Sequence, residues 1–181
     1  DLLRAQGPEA SARVVGATGL LDSEVDAWRQ PAAAMHLPYD QALGIHAQDD
    51  SFLSKKPWDF AATPPENYPL LLNYHSLVIY RHQVCKQADT LLALMLAGEP
   101  VDVAAKRRNF DYYASITVHD STLSASTFAV IAAEVGYAAK AHRYFLDTLR
   151  VDLDDLPANA APVLHLAALA RALLALHCGS G

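Results

Sequence analysis

Three stretches of the sequence carry side chains suited to holding a polar ligand. Residues 73–89, NYHSLVIYRHQVCKQAD, set His75, Arg81, His82, Lys86, Gln87 and Asp89 around the start of a mainly apolar helical pattern. Lys86 offers three N–H donors and Gln87 a donor–acceptor pair, a combination that suits sugar hydroxyls. Adjacent residues do not share one stripe of a helix, yet both reach a pocket that the end of the helix faces. The plain alternative is a polar strip paired with a neighbouring helix. Residues 115–126, SITVHDSTLSAS, have Asp120 or Ser121 as a helix cap, with Ser121, Thr122 and Ser124 crowding the first turn. A helix start presents unbonded N–H groups and positive dipole character. With hydroxyls and His119 beside it, such an end makes an anion or phosphate seat. Ordinary capping is the competing account. His165, inside the apolar run PVLHLAALA (162–170), reads by itself as a core histidine.

Other chemistries lack their signatures. The eight histidines form no pair with a cysteine or carboxylate at ligand spacing, so no metal is expected. There is no Gly-rich phosphate loop, nucleophile elbow or dinucleotide fingerprint, and no cofactor is implied. Lys106, Arg107 and Arg108 are too short a basic run for a nucleic-acid patch and read as a solvated or ion-paired face. With 14 Lys and Arg against 20 Asp and Glu, the net charge is −6. That balance has no general pull toward nucleic acid or anionic lipid. No apolar run reaches the roughly 20 residues that span a bilayer, and the opening DLLRAQGPEA lacks the form of a signal peptide. Cys85 and Cys178 sit in apolar, helical-looking stretches and suit reduced, buried thiols, hence a cytoplasmic location. A chain that opens without Met reads as a fragment or a processed product.

The 181 residues, 52% hydrophobic and 19% charged, suit one globular domain. Residues 1–74 read as irregular and loop-rich. A helix is expected at 23–35, capped by Ser23 with Asp26 completing the box, and kinked or divided by Pro31. The proline-punctuated stretch 37–74 is a long loop whose aromatic residues pack on something. Residues 75–181 read as antiparallel helical hairpins: helices at 77–96, 101–113, 122–135 (stopped by Gly136), 138–149 and 162–177. The helix at 122–135 is apolar nearly all round, and so is the last one. Helices of that kind are buried on several sides, which makes the chain part of a larger helical domain or an oligomer.

These segments together resemble glycoside hydrolase family 65, the maltose, trehalose and kojibiose phosphorylases. The resemblance runs through PYDQALGIHAQDDSFL (38–53), KPWDF (56–60), YPLLLNYHSLVIYRHQVCKQAD (68–89) and KRRNFDYY (106–113). It continues through HDSTLS (119–124), IAAEVG (131–136), YFLDTLRVDLDDLPAN (144–159) and LHLA (164–167). It implies an all-α fold, part of an (α/α)6 barrel, with residues 1–181 a single partial catalytic domain. It implies inverting attack by inorganic phosphate, as co-substrate, on an α-linked glucose disaccharide to give β-glucose 1-phosphate and glucose. Lys86 and Gln87 match the pair that contacts glucose. Ser121 and Thr122 match the hydroxyl pair of the phosphate seat, where the family usually has two serines. His165 matches the histidine that completes the seat, reversing the core reading. Ala161 to Leu164 stand where the family usually has Asp-Gly before it. No residue here matches the family's Asn-Gly-Pro-Asp-Glu-Tyr segment with the general acid, which is therefore expected upstream, leaving the isolated chain inactive. The partners implied are the disaccharide, phosphate, and either an upstream half-domain or a second copy. The rivals are a trehalase-like hydrolase of the same architecture and a non-catalytic helical module that binds sugar or a partner.

Overall fold

The computed structural model describes residues 7–96 and 101–151. The helix expected at 162–177, with His165 and Cys178, lies outside the described residues. The chain divides after Leu37 into two compact units.

The first unit holds two helices. α1, Pro8–Thr18, begins with Pro8 in its first turn and ends at Gly19, whose φ of 68° closes the helix with a bond from its N–H to Val15 O. α2, Asp22–Ala33, corrects the expected cap. The reciprocal contact is made by Leu21 and Glu24: Leu21 N–H donates to the Glu24 carboxylate at 2.9 Å, and Glu24 N–H to Leu21 O at 3.1 Å. Ser23 lies inside the first turn. Pro31 lies in the last turn and does not divide the helix, which runs as one element from Asp22 to Ala33. Neither helix buries a residue, and Trp28 and Met35 are exposed.

The second unit starts with the predicted loop, which carries paired strands of two residues each. β1 (Tyr39–Asp40) pairs with β2 (Ile45–His46) antiparallel, and β3 (Lys56–Pro57) pairs parallel with β4 (His82–Gln83). The loop does pack. Phe52 is fully buried in the main core, while Trp58 and Phe60 pack on a smaller cluster of Leu70, Ile79 and Val84. Hydrogen bonds from a later helix fix its path: buried Asn109 accepts from His46 N–H at 2.9 Å, the Tyr113 hydroxyl donates to His46 O at 2.7 Å, and Arg108 donates to Gly44 O at 2.9 Å.

The expected helix over 77–96 is not one element. α3 (Leu70–Asn73) and α4 (Ser76–Ile79) are single turns, β4 follows, and only α5 (Asp89–Leu96) is a full helix. The apolar spacing holds for Ala88, Leu91 and Leu94, which are buried, but Leu77 and Tyr80 are exposed. Tertiary pairing overrides the period. Cys85 bridges Thr117 in parallel, with Cys85 N–H donating to Ile116 O and Val118 N–H to Cys85 O. Gln83 donates to Leu53 O and Lys55 O and accepts from the Tyr112 hydroxyl, which holds the segment extended. Cys85 is therefore a buried free thiol on an extended segment, not in a helix. Its Sγ donates to Gln48, and burial pushes its pKa up to about 12.

Three further helices carry the core. α6 is Val103–Ala114, capped by the Asp102 carboxylate, which accepts from Ala105 N–H. α7 is Thr122–Glu134 and α8 is Ala138–Leu149. α7 is buried almost throughout and packs on α5, α6 and α8, as its all-round apolar sequence requires. Its buried Ser126 and Thr127 donate to Leu123 O one turn back, so neither hydroxyl is stranded. Gly136, at φ 83°, closes α7: its N–H donates to Ala133 O and Tyr137 N–H to Ala132 O, which ties down the final carbonyls. The turn leads directly into α8, and the two helices form a hairpin. Arg107 donates to Val135 O at the end of α7, and Lys106 pairs with Glu134, so the basic run is ion-paired and capping.

Candidate functional site

The second unit contains a cavity of about 610 Å³ between the turn before α3, the segment leading to α5, the start of α7 and the inner face of α8. Its polar wall is the start of α7. Ser121 has extended backbone and is the N-cap, its Oγ accepting from Leu123 N–H at 3.4 Å. An oxygen used as an acceptor leaves its own proton to donate to a ligand. Thr122 opens the first turn, so two hydroxyls stand at the positive end of a 13-residue helix.

Lys86 lines the same cavity. Its place follows from the pairing of Cys85 with Thr117, which continues one residue further: Asp120 N–H donates to Lys86 O at 3.0 Å. An extended segment thus lays the lysine beside the helix start, which a helix over 77–96 could not do. Gln87 points elsewhere: its amide donates to Asp89 at 2.7 Å. Among the residues named from sequence, then, Lys86, Ser121 and Thr122 share one cavity, Gln87 is turned toward Asp89, and His165 lies outside the described residues.

His119 and Asp120, expected from sequence beside the seat and as a candidate cap, line the cavity, and so do Tyr144 and Asp147, which the sequence did not single out. His119 has φ 57°, a left-handed conformation uncommon outside glycine, and makes the corner between the bridged strand and α7. Its ring stacks edge-on against Phe128 at 4.8 Å and beside Tyr144, with Nδ1 2.8 Å from Ser124 Oγ. Burial, helped by the charge of Arg143, lowers its pKa to about 4, so the imidazole is neutral at pH 7. It brings no positive charge to an anion. Asp120 accepts from Leu71 N–H at 3.2 Å. Burial raises its pKa, against the opposing pull of the Leu71 and Leu70 N–H groups and the Lys86 charge. Tyr144 and Asp147 stand three apart on α8, a spacing that puts both on one face. That periodicity, and the position of His119 and Asp120 beside the seat, were the available signals. Among the described residues no group of three or more His, Cys, Asp or Glu is placed to hold a metal ion.

Hydroxyls at a helix start and an ammonium over one cavity are the equipment of a domain that accommodates a small polar or anionic ligand. The comparisons with known proteins give that domain its family. Residues 5–174 match the glycosyl hydrolase family 65 central catalytic domain. The chain is 44% identical over 177 residues to the α,α-trehalose phosphorylase of Geobacillus stearothermophilus, covering 98% of this chain and 23% of that relative. It is 34% identical over 153 residues to the maltose phosphorylase of Bacillus subtilis, covering 84% of this chain and 20% of that relative. A solved structure from the human microbiome, named for kojibiose phosphorylase, superposes with a TM-score of 0.76 at 26% identity, over 93% of this chain and 24% of that one. The chain belongs to glycosyl hydrolase family 65 and is all-α, with the helices of a part of that family's (α/α)6 barrel. It spans about a quarter of the length of the curated relatives it matches. No helix among the described residues is long and apolar enough to cross a membrane.

Proposed function

We propose that this chain supplies the phosphate seat and part of the glucose site of an inverting α-glucoside phosphorylase. The observation that carries the reading is the meeting of Lys86, Ser121 and Thr122 around one cavity. Inorganic phosphate sits at the start of α7, held by the hydroxyls of Ser121 and Thr122 and by His165. Lys86 donates to glucose hydroxyls, joined by Gln87 once its amide leaves Asp89. A phosphate oxygen forms the new bond to the anomeric carbon as the glycosidic bond breaks. A carboxylic acid from outside this chain protonates the departing oxygen. The products are β-glucose 1-phosphate and glucose, and the reaction needs no cofactor. Holding the nucleophile in place is the main contribution of such a seat, because it removes the entropy of bringing an anion to the reacting carbon. The disaccharide we propose is trehalose, supported by 44% identity to a trehalose phosphorylase against 34% to a maltose phosphorylase. The buried free thiol of Cys85 suits a reducing cytoplasm.

Hydrolysis by water is the alternative, in which a carboxylate that activates water takes the place of phosphate. The test exchanges this chain for the matching segment of the Geobacillus stearothermophilus relative and follows trehalose with and without phosphate. Phosphate-dependent release of β-glucose 1-phosphate is expected, and Lys86→Ala is expected to cut turnover by about 100-fold, the loss that follows removal of a charged hydrogen-bond donor. Free glucose alone in both conditions would mean a hydrolase. Full turnover by the Lys86→Ala protein would remove Lys86 from the site.

A further inference from the structure

Asp120 stands where three segments of the cavity wall meet. Its carboxylate accepts from Leu71 N–H, 49 residues away in sequence, and so holds the turn that carries Leu71 and Leu72 into the cavity wall. Its own N–H donates to Lys86 O. It is covalently next to Ser121, the cap of α7. One residue therefore joins the wall turn, the lysine segment and the helix start. Leu70 of that turn is fully buried against Ile79 and Val84, and Leu72 is exposed.

A carboxylate is an unfavourable choice for that position on charge alone. It is partly withdrawn from water, and it faces a cavity whose proposed occupant is an anion. A neutral side chain would cost less unless donors favour the ionised form. Leu71 N–H donates to one oxygen at 3.2 Å, and the Leu71 and Leu70 N–H groups and the Lys86 charge favour the ionised carboxylate. That bond leaves Asp120 well placed to set the distance between two walls.

We propose that Asp120 is a positioning residue: it ties the Leu70–Leu71 backbone to the start of α7 and so sets the width of the cavity between Leu72, Lys86 and Ser121. This rests on the phosphorylase reading for its kinetic consequence, but the tie itself does not.

Two variants and two readouts test it. In the chain as it stands, amide hydrogen exchange at Leu70 and Leu71 is compared for the native protein, Asp120→Asn and Asp120→Ala. Exchange is expected to quicken about tenfold or more in Asp120→Ala, the loss of a hydrogen bond to a charged acceptor. Asp120→Asn keeps one accepting oxygen and is expected to show a distinctly smaller change. In the exchanged trehalose phosphorylase, Asp120→Ala is expected to raise the KM for trehalose about tenfold while kcat changes less than about threefold, since a widened cavity loses binding more than chemistry. Asp120→Asn is expected to recover part of the KM loss. Unchanged exchange at Leu71 in Asp120→Ala would overturn the tie. A lowered Tm with unchanged KM would make Asp120 merely structural. An equal collapse of kcat in both variants would mean that the charge acts in the chemistry, and that too sinks the proposal. If the native exchanged enzyme does not cleave trehalose with phosphate, it is the phosphorylase reading that fails, and the exchange data still decide the tie.

Discussion

His119 shows how a single residue of the cavity wall ties the site to stability. Its imidazole is neutral in the folded protein, with a pKa of about 4, and takes up a proton near 6.5 when exposed. Between those values the unfolded chain binds more protons, so stability falls as pH drops from about 6.5 to about 4 and levels off below. The ring also fills space between Phe128 and Tyr144, and its backbone sits at φ 57°. Asparagine tolerates that backbone and does not titrate. His119→Asn is therefore expected to be less stable at pH 7 through lost packing, yet to show a shallower loss between pH 6.5 and 4. Denaturant titrations at pH 7, 5.5 and 4.5 measure both; parallel pH profiles for the two proteins would contradict the burial account. Cys85 is the complementary case. Its thiol is buried, hydrogen-bonded to Gln48 and pushed up to about 12, so it stays protonated and unreactive at neutral pH.

α6 organises the element scale, because one of its faces pins the long loop while the neighbouring side chains close α7. Gly44 is the tightest point of that contact. It sits at φ 65°, and a Cβ there would stand 2.6 Å from Arg108 Nε. Gly44→Ala is expected to cost about 1–3 kcal/mol through left-handed strain and the collision. Combining it with Arg108→Ala is expected to recover the steric share and leave the backbone share, a separation that a double-mutant cycle by chemical denaturation reads directly. The legibility of these elements divides along the range of the forces that shape them. α7 and α8 could be read from sequence, since the all-round apolar run, Gly136 and the amphipathic pattern of 138–149 are local signals. The extended segment through Lys86 could not. Its apolar spacing imitates a helix, and what prevents one is the pairing of Cys85 with Thr117 and the bonds of Gln83 to Leu53, Lys55 and Tyr112. The loop was legible as packed, from its aromatic residues, but not as held by Asn109 and Tyr113, which lie more than 60 residues from His46. The site follows the same division. The capping pattern of HDSTLS marked Ser121 and Thr122, whereas the tie from Asp120 to Leu71 joins positions that no local pattern relates.

At the scale of the whole molecule, charge and coverage bear on how an anion would be held. With a net charge of −6 the chain offers phosphate no long-range attraction. Affinity then has to come from short-range donors: the hydroxyls of Ser121 and Thr122, the N–H groups at the start of α7 and, in the proposed seat, His165. Short-range donation makes two demands that simple charge attraction does not. Binding should survive added chloride, since donors converging at a helix start are arranged for a tetrahedral oxyanion rather than for charge alone, and it should depend on the geometry of the cap. A ligand that binds the folded state raises stability in proportion to the logarithm of its concentration over Kd, about 2.7 kcal/mol at a 100-fold excess, or roughly 5–10 °C in Tm for a chain of this size. Thermal unfolding in inorganic phosphate, against sodium chloride at matched ionic strength, is therefore expected to show a phosphate-specific rise of that order at saturation. Ser121→Ala weakens the cap and removes a donor, so it is expected to lower the starting Tm and to shrink the phosphate increment. Thr122→Val removes a seat hydroxyl without touching the cap, so it is expected to shrink the increment while leaving the starting Tm nearly unchanged. The two variants thus separate the seat from the fold around it. Equal rises in phosphate and chloride, or a full increment in both variants, would mean that the start of α7 holds no phosphate.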